Sequence, residues 1–254
     1  MRFRTVLSRA IAATPLAYFP VRVRVGPAQG AKWTLAPFSF NWRHGGEGDL
    51  APGLARLSNK VGAACWDFGA HFGIHTVGMA MEVGPRGQVA SFEPDPGAFS
   101  RLKYHVKING LTQVRLFQAA ASDKAGALKL ITTHGLGSAM SHFQYEDETM
   151  SERTATLEVA TVVPDQLVSS GQIRPPDLIK VDVQGHGAQA LRGSIESIRT
   201  KRPIIIFSNH SQWELQGTRE LLEPLGYRAC SLNGDPIRWD GLNAATGLLL
   251  PSSS

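Results

Sequence analysis

From about residue 60 onward, short apolar runs alternate with stretches that carry the apolar period of a helix. We predict strands at Ala63–Phe68, Gln88–Glu93 and Val114–Ala119, with helices between them at Ile74–Val83 and Pro96–Asn109. Strands separated by helices of this length are typical of parallel sheets, because the helix returns the chain to the edge where the next strand begins. The alternation predicts an α/β fold with a doubly wound, mostly parallel sheet.

The second half of the chain continues the pattern after an irregular middle. Ala127–Thr132 and Leu157–Val163 are predicted as strands that flank a polar loop, Thr133–Thr154, and a loop of this length is usually functional or mobile. The remaining predicted strands are Asp177–Val183, Pro203–Phe207, Tyr227–Ser231 and Ala244–Leu250, and the remaining predicted helices are Ala188–Thr200 and Gln212–Leu225.

The length of 254 residues, with 43% hydrophobic and 19% charged residues, favours one domain with a sizeable core, at 42–254, behind a short N-terminal extension at 1–41. Cys65 and Cys230 form no CxxC pair, which argues against a disulfide framework or zinc site and favours a reducing, cytoplasmic location. The extension is predicted to hold a helix and a short strand. The sequence has no dense stripe of basic residues, so a nucleic-acid partner is not expected. The basic residues near the start favour a solvated face, with only weak support for peripheral membrane contact or an acidic substrate: Arg2, Arg4, Arg9, Arg22 and Arg24.

The segment from Asp67 to Gly73 lies at the turn from the first predicted strand into its helix. Ligands of open α/β sheets bind at this carboxyl edge. Gly69 would let the backbone approach a ligand, and Gly73 would allow the helix to pack tightly on the strand. The segment lacks the G-x-G-x-x-G pattern of dinucleotide-binding proteins, so a nicotinamide-dependent oxidoreductase is disfavoured.

Acidic residues stand at or just after the ends of three successive predicted strands. Glu93 could accept hydrogen bonds from both ribose hydroxyls of a nucleoside, Asp123 from an adenine amino group, and Asp67 could face an ammonium group. Each could instead cap a helix or close a turn. Together with the glycine turn, these acids predict a site for a nucleoside that carries an amino acid tail.

A series of motifs resembles the FkbM-type S-adenosylmethionine-dependent methyltransferases over most of residues 42–210. The motifs are Gly46-Glu47, Asp67 to Gly73, Thr76, Phe92 to Pro96, Asn109-Gly110, Ala120 to Asp123, Asp177 to Asp182, Leu191 to Gly193 and Arg202-Pro203. The resemblance implies a Rossmann-like methyltransferase fold, S-adenosylmethionine as cofactor, and methylation of a hydroxyl on a sugar or secondary metabolite. It also implies that Ala70, His71 and Thr76 belong to the cofactor site.

Lys180 and Asp182 are the first candidates for the chemistry of methyl transfer. Positioning is the main contribution of such an enzyme, but an alcohol also needs a base or a metal to become a good nucleophile. Residues two apart on a strand share a face, and Asp182 lies nearer the carboxyl edge, so we expect it at the reacting centre. Lys180 would pair with Asp182 or act as base if burial lowers its pKa. A purely structural ion pair is the alternative.

The chain departs from the family pattern after this strand. FkbM-type sequences usually carry acidic residues where this chain has Gln184 and Gly187, and an acid expected after the Pro203 strand is replaced by Ser208-Asn209-His210. Glutamine, serine and asparagine are weak substitutes in a divalent cation site, so we predict no metal and turnover without one.

Histidines remain as candidate bases. His186 and His210 follow neighbouring strands, where a base that titrates near neutral pH would be useful, although a lone loop histidine is more often a surface residue. His75 and His105 are predicted to serve helix packing.

Two hypotheses remain open. The first is an O-methyltransferase for a small-molecule or glycan acceptor, which the loop Thr133–Thr154 and the N-terminal segment would contact. The second is a degenerate member of the family that binds the cofactor without catalysis. The substitutions at 184 and 187 favour the second hypothesis, whereas Lys180, Asp182 and Arg202-Pro203 favour the first. The oligomeric state is not predicted.

Overall fold

The computed structural model describes residues 19–35, 43, 48–132, 142–143 and 155–252. Its strands are β1 (Pro20–Arg22), β2 (Lys32–Thr34), β3 (Ala64–Phe68), β4 (Gln88–Phe92), β5 (Val114–Phe117), β6 (Ala120–Ala121), β7 (Gly126–Thr132), β8 (His142–Phe143), β9 (Ala155–Val162), β10 (Leu178–Val181), β11 (Ile204–Ser208), β12 (Tyr227–Cys230) and β13 (Thr246–Pro251). Its α-helices are α1 (Leu50–Leu54), α2 (Ile74–Val83), α3 (Pro96–Ile108), α4 (Pro164–Ser169), α5 (Gly187–Arg192), α6 (Ile195–Lys201) and α7 (Gln212–Leu222), and 3₁₀ turns lie at Glu223–Leu225 and Trp239–Leu242.

The central sheet has seven strands in the order β12-β13-β11-β10-β3-β4-β5. The five strands from β11 to β5 are parallel. β13 pairs antiparallel with β11, and β12 pairs antiparallel with β13. The chain runs outward from β3 to β5 and later returns to the other side of β3 with β10. This reversal places the topological switch point between β3 and β10, where ligands of such sheets bind. The predicted doubly wound α/β fold is confirmed.

Helices cover both faces of this sheet. On one face, Leu54 of α1 and Met79 of α2 are buried in the core. On the other face, Leu191 of α5 and Leu222 of α7 are buried. The parallel strands are therefore apolar on both sides, which explains their near-continuous hydrophobic runs. No helix among the described residues is long and apolar enough to cross a membrane.

Two predicted elements are divided in the structure. The predicted strand Val114–Ala119 ends at Phe117, and β6 pairs instead with β9 in a second sheet of order β6-β9-β7-β8. The predicted helix Ala188–Thr200 is two helices. They separate at Gly193, where a Cβ would overlap the carbonyl oxygen of Ser122, so the backbone here packs directly on the segment after β6.

The predicted loop Thr133–Thr154 contains a strand, because β8 pairs antiparallel with β7. The predicted flanking strands also pair with each other, as β7 and β9. The rest of the loop lies outside the described residues, as do the predicted N-terminal helix and Gly46-Glu47.

The described part of the predicted N-terminal extension packs on α3. Strands β1 and β2 form an antiparallel pair, and the buried Trp33 stacks on His105 with ring centroids 3.6 Å apart. Nδ1 of His105 lies 2.7 Å from the Phe72 carbonyl oxygen, and Nε2 lies 2.9 Å from Oγ1 of Thr34. Burial lowers the pKa of His105 to about 4, so the ring is neutral near pH 7. The predicted packing role of His105 is confirmed.

Candidate active site

The turn after β3 approaches the end of β10 very closely. Gly69 has φ +80°, and a Cβ at this position would overlap the carbonyl oxygen of Asp182. The amides of Gly69 and Ala70 both donate to the carbonyl oxygen of Phe92 at 3.0 Å. The sequence analysis assigned Gly69 to the approach of a ligand, but the neighbour that requires glycine in the structure is protein backbone.

Gly73 is the N-cap residue of α2 with φ +90°, and a Cβ there would overlap Cδ1 of Leu102 on α3. The prediction that this glycine allows a helix to pack on a strand is therefore wrong, because its close neighbour belongs to a helix.

We expect Gly69→Ala to reduce the free energy of unfolding by about 3 kcal/mol or more. A left-handed conformation costs an L-residue about 1–2 kcal/mol, and the overlap with Asp182 adds an overpacking cost of about 1–3 kcal/mol. Gly62→Ala is the matched control, because Gly62 has φ +88° with no atom within 4 Å of its added Cβ. Denaturant unfolding of both variants measures the difference. Equal losses in the two variants would show that the contact with Asp182 has no part in the effect.

Glu93 directly follows β4, and its carboxylate is held by the backbone on both sides. Oε2 accepts from the amide of His71 at 2.7 Å, and Oε1 accepts from the amide of Asp95 at 2.8 Å. Burial raises the pKa of Glu93 to about 7, against the opposing effect of these two hydrogen bonds. The carboxylate is thus fixed at the carboxyl edge of the sheet, beside the turn after β3.

Asp67 is buried at the end of β3. Its Oδ2 accepts from Oγ1 of Thr76 at 2.6 Å, and Thr76 also lies 2.9 Å from Oγ of Ser91. Oδ1 of Asp67 is buried without a hydrogen-bond partner among the described residues. Burial raises the pKa of Asp67 above its ordinary value. Thr76 is itself completely buried, so it can act on a ligand only by orienting Asp67.

Asp123 is partly exposed after β6. Its Oδ2 lies 3.6 Å from a guanidinium nitrogen of Arg192, and Ser122 donates to Oδ1 at 3.4 Å. Asp123 therefore lies in an ion pair with the last residue of α5.

A buried cation lies between the strands at the switch point. Nζ of Lys180 lies 3.2 Å from Oδ2 of Asp182, 3.2 Å from Oδ2 of Asp49 and 3.2 Å from Oγ of Ser208. Burial by itself would lower the pKa of Lys180, but Asp182 and Asp49 outweigh this effect and the pKa is raised. A raised pKa disfavours the alternative in which a depressed pKa makes Lys180 a base. The predicted ion pair with Asp182 is present.

Asp182 also contacts a histidine through its second oxygen. Nε2 of His210 lies 2.8 Å from Oδ1 of Asp182, and both side chains are about one quarter exposed, at 27% and 25%. Burial would raise the pKa of Asp182, but His210 and Lys180 lower it to about 2. Conversely, burial would lower the pKa of His210, but Asp182 and Glu214 raise it. The result is a carboxylate–imidazole pair that is open to solvent.

The structure adds Asp49, which the sequence analysis missed. Asp49 precedes α1 and is buried, and its Oδ1 lies 3.0 Å from Nε2 of His75. Burial would raise the pKa of Asp49, but His75 and Lys180 hold it well below its ordinary range. The ring of His75 on α2 thus contacts the N-cap residue of α1, which agrees with its predicted role in helix packing.

Glu214 is a second residue that the sequence analysis missed. It is completely buried, and it accepts from the amides of Gly187 and His210 at 2.8 Å each. A Cβ at Gly187 would lie 2.7 Å from Oε1 of Glu214, so glycine leaves the space that this carboxylate fills. A carboxylate from α7 therefore lies beside position 187, where the chain itself has no acid. The signal in the sequence is the capping-box spacing of Ser211 and Glu214, and Ser211 does cap α7.

His186 is not part of the group around Asp182. It is buried, and its Nε2 lies 3.1 Å from Oγ of Ser122. Burial lowers the pKa of His186 to about 4. In the described parts of the chain, no group of three or more His, Cys, Asp and Glu side chains is arranged to hold a metal ion. The absence of a metal stays a prediction.

Comparison with known proteins assigns the family. The family model described as "Methyltransferase FkbM domain" matches residues 67–229, more than half of the chain. Hexuronic acid methyltransferase AglP of Haloferax volcanii is 25% identical over 148 residues, which cover 56% of this chain and 54% of that protein. The 2-O-methyltransferase NoeI of Sinorhizobium fredii is 28% identical over 152 residues, which cover 53% of this chain and 58% of that protein. The matches thus span only about half the length of these curated relatives.

A solved structure of an FkbM methyltransferase from Methylobacillus flagellatus has the same fold, with a TM-score of 0.50 and 18% identity over 75% of this chain and 44% of that chain. With the fold and the family model in agreement, this chain belongs to the FkbM methyltransferase family.

Proposed function

We propose that the chain transfers the methyl group of S-adenosylmethionine to a hydroxyl of a sugar or a glycosylated small molecule, with His210 as the base. The observation that carries the proposal is the Asp182–His210 pair, which is partly exposed at the same edge of the sheet where Glu93 accepts a hydrogen bond from the turn after β3. The proposed acceptor class is supported by the two relatives, whose names specify hexuronic acid methylation and 2-O-methylation.

The residues at the switch point fit the cofactor. The Glu93 carboxylate is oriented by two backbone amides and retains lone pairs that could accept from a ribose diol. Oδ1 of Asp67 is a buried acceptor without a described partner, which suits a donor such as the ammonium group of an amino acid tail. Thr76 would hold Asp67 in position, and Gly69, Ala70, His71 and Gly73 would form the turn between the two acids. Asp123, paired with Arg192, is proposed for the adenine amino group.

His210 is suited to accept the proton of an acceptor hydroxyl. When bound, S-adenosylmethionine would supply a methyl group on a sulfonium, and its sulfur would keep the electron pair of the carbon–sulfur bond once the acceptor oxygen has taken the methyl group. The Asp182 carboxylate only accepts hydrogen bonds, so Nε2 of a neutral His210 carries the proton that lies between them. Nδ1 then holds the lone pair that takes the hydroxyl proton. Asp182 stabilises the resulting imidazolium, and the buried Lys180 keeps Asp182 ionised.

Asp182 itself is a poor base. Its pKa of about 2 leaves little driving force for taking a proton from an alcohol, whereas a histidine titrates close to neutral pH. Among the candidate bases we therefore propose His210, and we propose that Asp182 orients its imidazole ring. His186, with a pKa of about 4 and a hydrogen bond to Ser122, is left out of the proton transfer.

Glu93→Gln is expected to weaken binding of S-adenosylhomocysteine by about 2–3 kcal/mol, the scale of a charge-assisted hydrogen-bond pair. Ribose hydroxyls that donate to Glu93 favour its ionised form, so binding near pH 7 to the original chain should release up to about half a proton. Calorimetry in buffers of different ionisation enthalpy measures both quantities. Glu82→Gln, on the far end of α2, is the control and should change neither. Unchanged affinity and proton release in Glu93→Gln would remove Glu93 from the site.

The proposed reaction is tested with labelled S-adenosylmethionine and a panel of hexoses, hexuronic acids and their glycosides. We expect label to appear on a hydroxyl of at least one sugar, together with S-adenosylhomocysteine. Binding of the cofactor without transfer to any member of the panel would favour the degenerate, non-catalytic hypothesis.

A further inference from the structure

Five ionisable side chains form a continuous series at the carboxyl edge of the sheet. His75 contacts Asp49 at 3.0 Å, Asp49 contacts Lys180 at 3.2 Å, Lys180 contacts Asp182 at 3.2 Å, and Asp182 contacts His210 at 2.8 Å. Acids and bases alternate along the series. The series of side chains joins α2, which follows the turn after β3, to the segment that follows β11.

We propose that Asp49 is a positioning residue for methyl transfer: through Lys180 it holds the Asp182 carboxylate against Nε2 of His210. This inference rests on the proposed function, in which His210 is the base. Asp49 cannot act on an acceptor directly, because only 2% of its side chain is exposed and its two oxygens contact His75 and Lys180.

The geometry of Lys180 explains how Asp49 acts at a distance. An ammonium group has three N–H donors, and Lys180 has three neighbours at 3.2 Å: Asp182, Asp49 and Ser208. Ser208 is fixed in turn by Oγ1 of Thr246 at 2.9 Å. The ammonium group therefore interacts with three acceptors at once, which weakens its electrostatic attraction for Asp182. The Asp182 carboxylate can then bind His210 more strongly through its other oxygen, Oδ1.

Removal of the Asp49 charge should lower the basicity of His210 in two ways. Lys180 would turn more fully toward Asp182, and the imidazolium would lose part of its counter-charge. One negative charge would also be lost from the neighbourhood. The groups that face His210 are Lys180 on β10, Asp182 directly after β10 and Glu214 on α7, and all three remain in the variant. The direction of the change is therefore set by Asp49.

The test is an NMR titration of the His210 imidazole in the full chain, with its signal assigned by its loss in His210→Gln. In Asp49→Asn we expect the His210 pKa to fall by about one unit, the size expected for one lost charge at an effective dielectric of about 20. The acid limb of kcat/KM should move to lower pH by the same amount. Glu82→Gln is the control and should leave both unchanged. A folded Asp49→Asn variant with an unshifted His210 pKa would overturn the inference.

A second variant keeps the inference testable if Asp49→Asn does not fold. His75→Gln removes the other partner of Asp49 and leaves that carboxylate free to hold Lys180 more strongly. Asp182 is then released toward His210, so the His210 pKa should rise. A fall or no change would contradict the inference. The titration needs neither cofactor nor acceptor, so a failure of methyl transfer in the unmodified chain would refute the proposed function and leave this test intact.

Discussion

Replacement of His210 by glutamine is expected to reduce kcat/KM for methyl transfer by about 10²–10⁴-fold, the usual contribution of general-base catalysis. Glutamine can still donate to Asp182 but cannot take a proton from an alcohol. The affinity for S-adenosylhomocysteine should be unchanged, because the proposed cofactor contacts are made by Asp67 on β3 and Glu93 after β4, away from the segment that carries His210. Transfer rates and calorimetry on the same preparation separate the two effects.

The pH profile adds a check with a definite sign. The raised pKa of His210 means that the imidazole takes its proton at a pH above the ordinary histidine value of about 6.5. The rate of the unmodified chain should therefore fall as pH drops through that raised pKa, and this limb should be absent in His210→Gln. Near-normal turnover in the variant, with the limb retained, would exclude His210 as the base.

Replacement of Lys180 by methionine is expected to reduce the free energy of unfolding by about 3–5 kcal/mol, as when one partner of a buried ion pair is removed. Asp49 and Asp182 would lose the ammonium that they share. The matched control is Lys60→Met, which breaks the Lys60–Glu82 pair at 3.3 Å on the surface and should cost less than about 1 kcal/mol. Denaturant titrations at pH 7 measure both variants.

The pH dependence of the free energy of unfolding distinguishes the loss of this ion pair from a simple packing defect. Asp49 and Asp182 have pKa values below the ordinary value in the folded chain, so the stability that they contribute is present above about pH 4 and is lost as pH falls through the lowered values. Without Lys180 the two acids should no longer be stabilised in their charged form. The difference between the unmodified chain and Lys180→Met should therefore shrink as pH falls from 5 toward about 2. A difference that stays constant with pH would assign the loss to packing alone.

Local patterns in the sequence were sufficient for much of this structure. Helix α2 lies at the predicted residues Ile74–Val83, because glycines at 73 and 84 mark both of its ends. The strand-edge positions of Glu93 and Asp182 follow from the apolar runs that precede them. The shared face of Lys180 and Asp182 follows from the two-residue period of a strand. These are short-range properties, and the structure reproduces them.

The missed parts of the site depend on contacts between distant segments. Asp49 reaches Lys180 across about half of the chain, and no local pattern near Asp49 indicates that partner. Glu214 was hidden for another reason: it occupies a capping-box position, yet its carboxylate binds the amides of Gly187 and His210. The sequence analysis explained Gly69 by the approach of a ligand, because the sequence alone cannot show that the backbone of Asp182 lies against this residue.

The central claim is that one strand edge holds both the cofactor and the base. A crystal structure of the complex with S-adenosylhomocysteine tests it most directly. We predict the ribose hydroxyls on Glu93, the amino acid tail toward Asp67, and His210 facing the open side of the thioether sulfur with Asp182 still at Nε2. A nucleoside bound elsewhere, or one whose sulfur is separated from His210 by the protein backbone, would contradict the account.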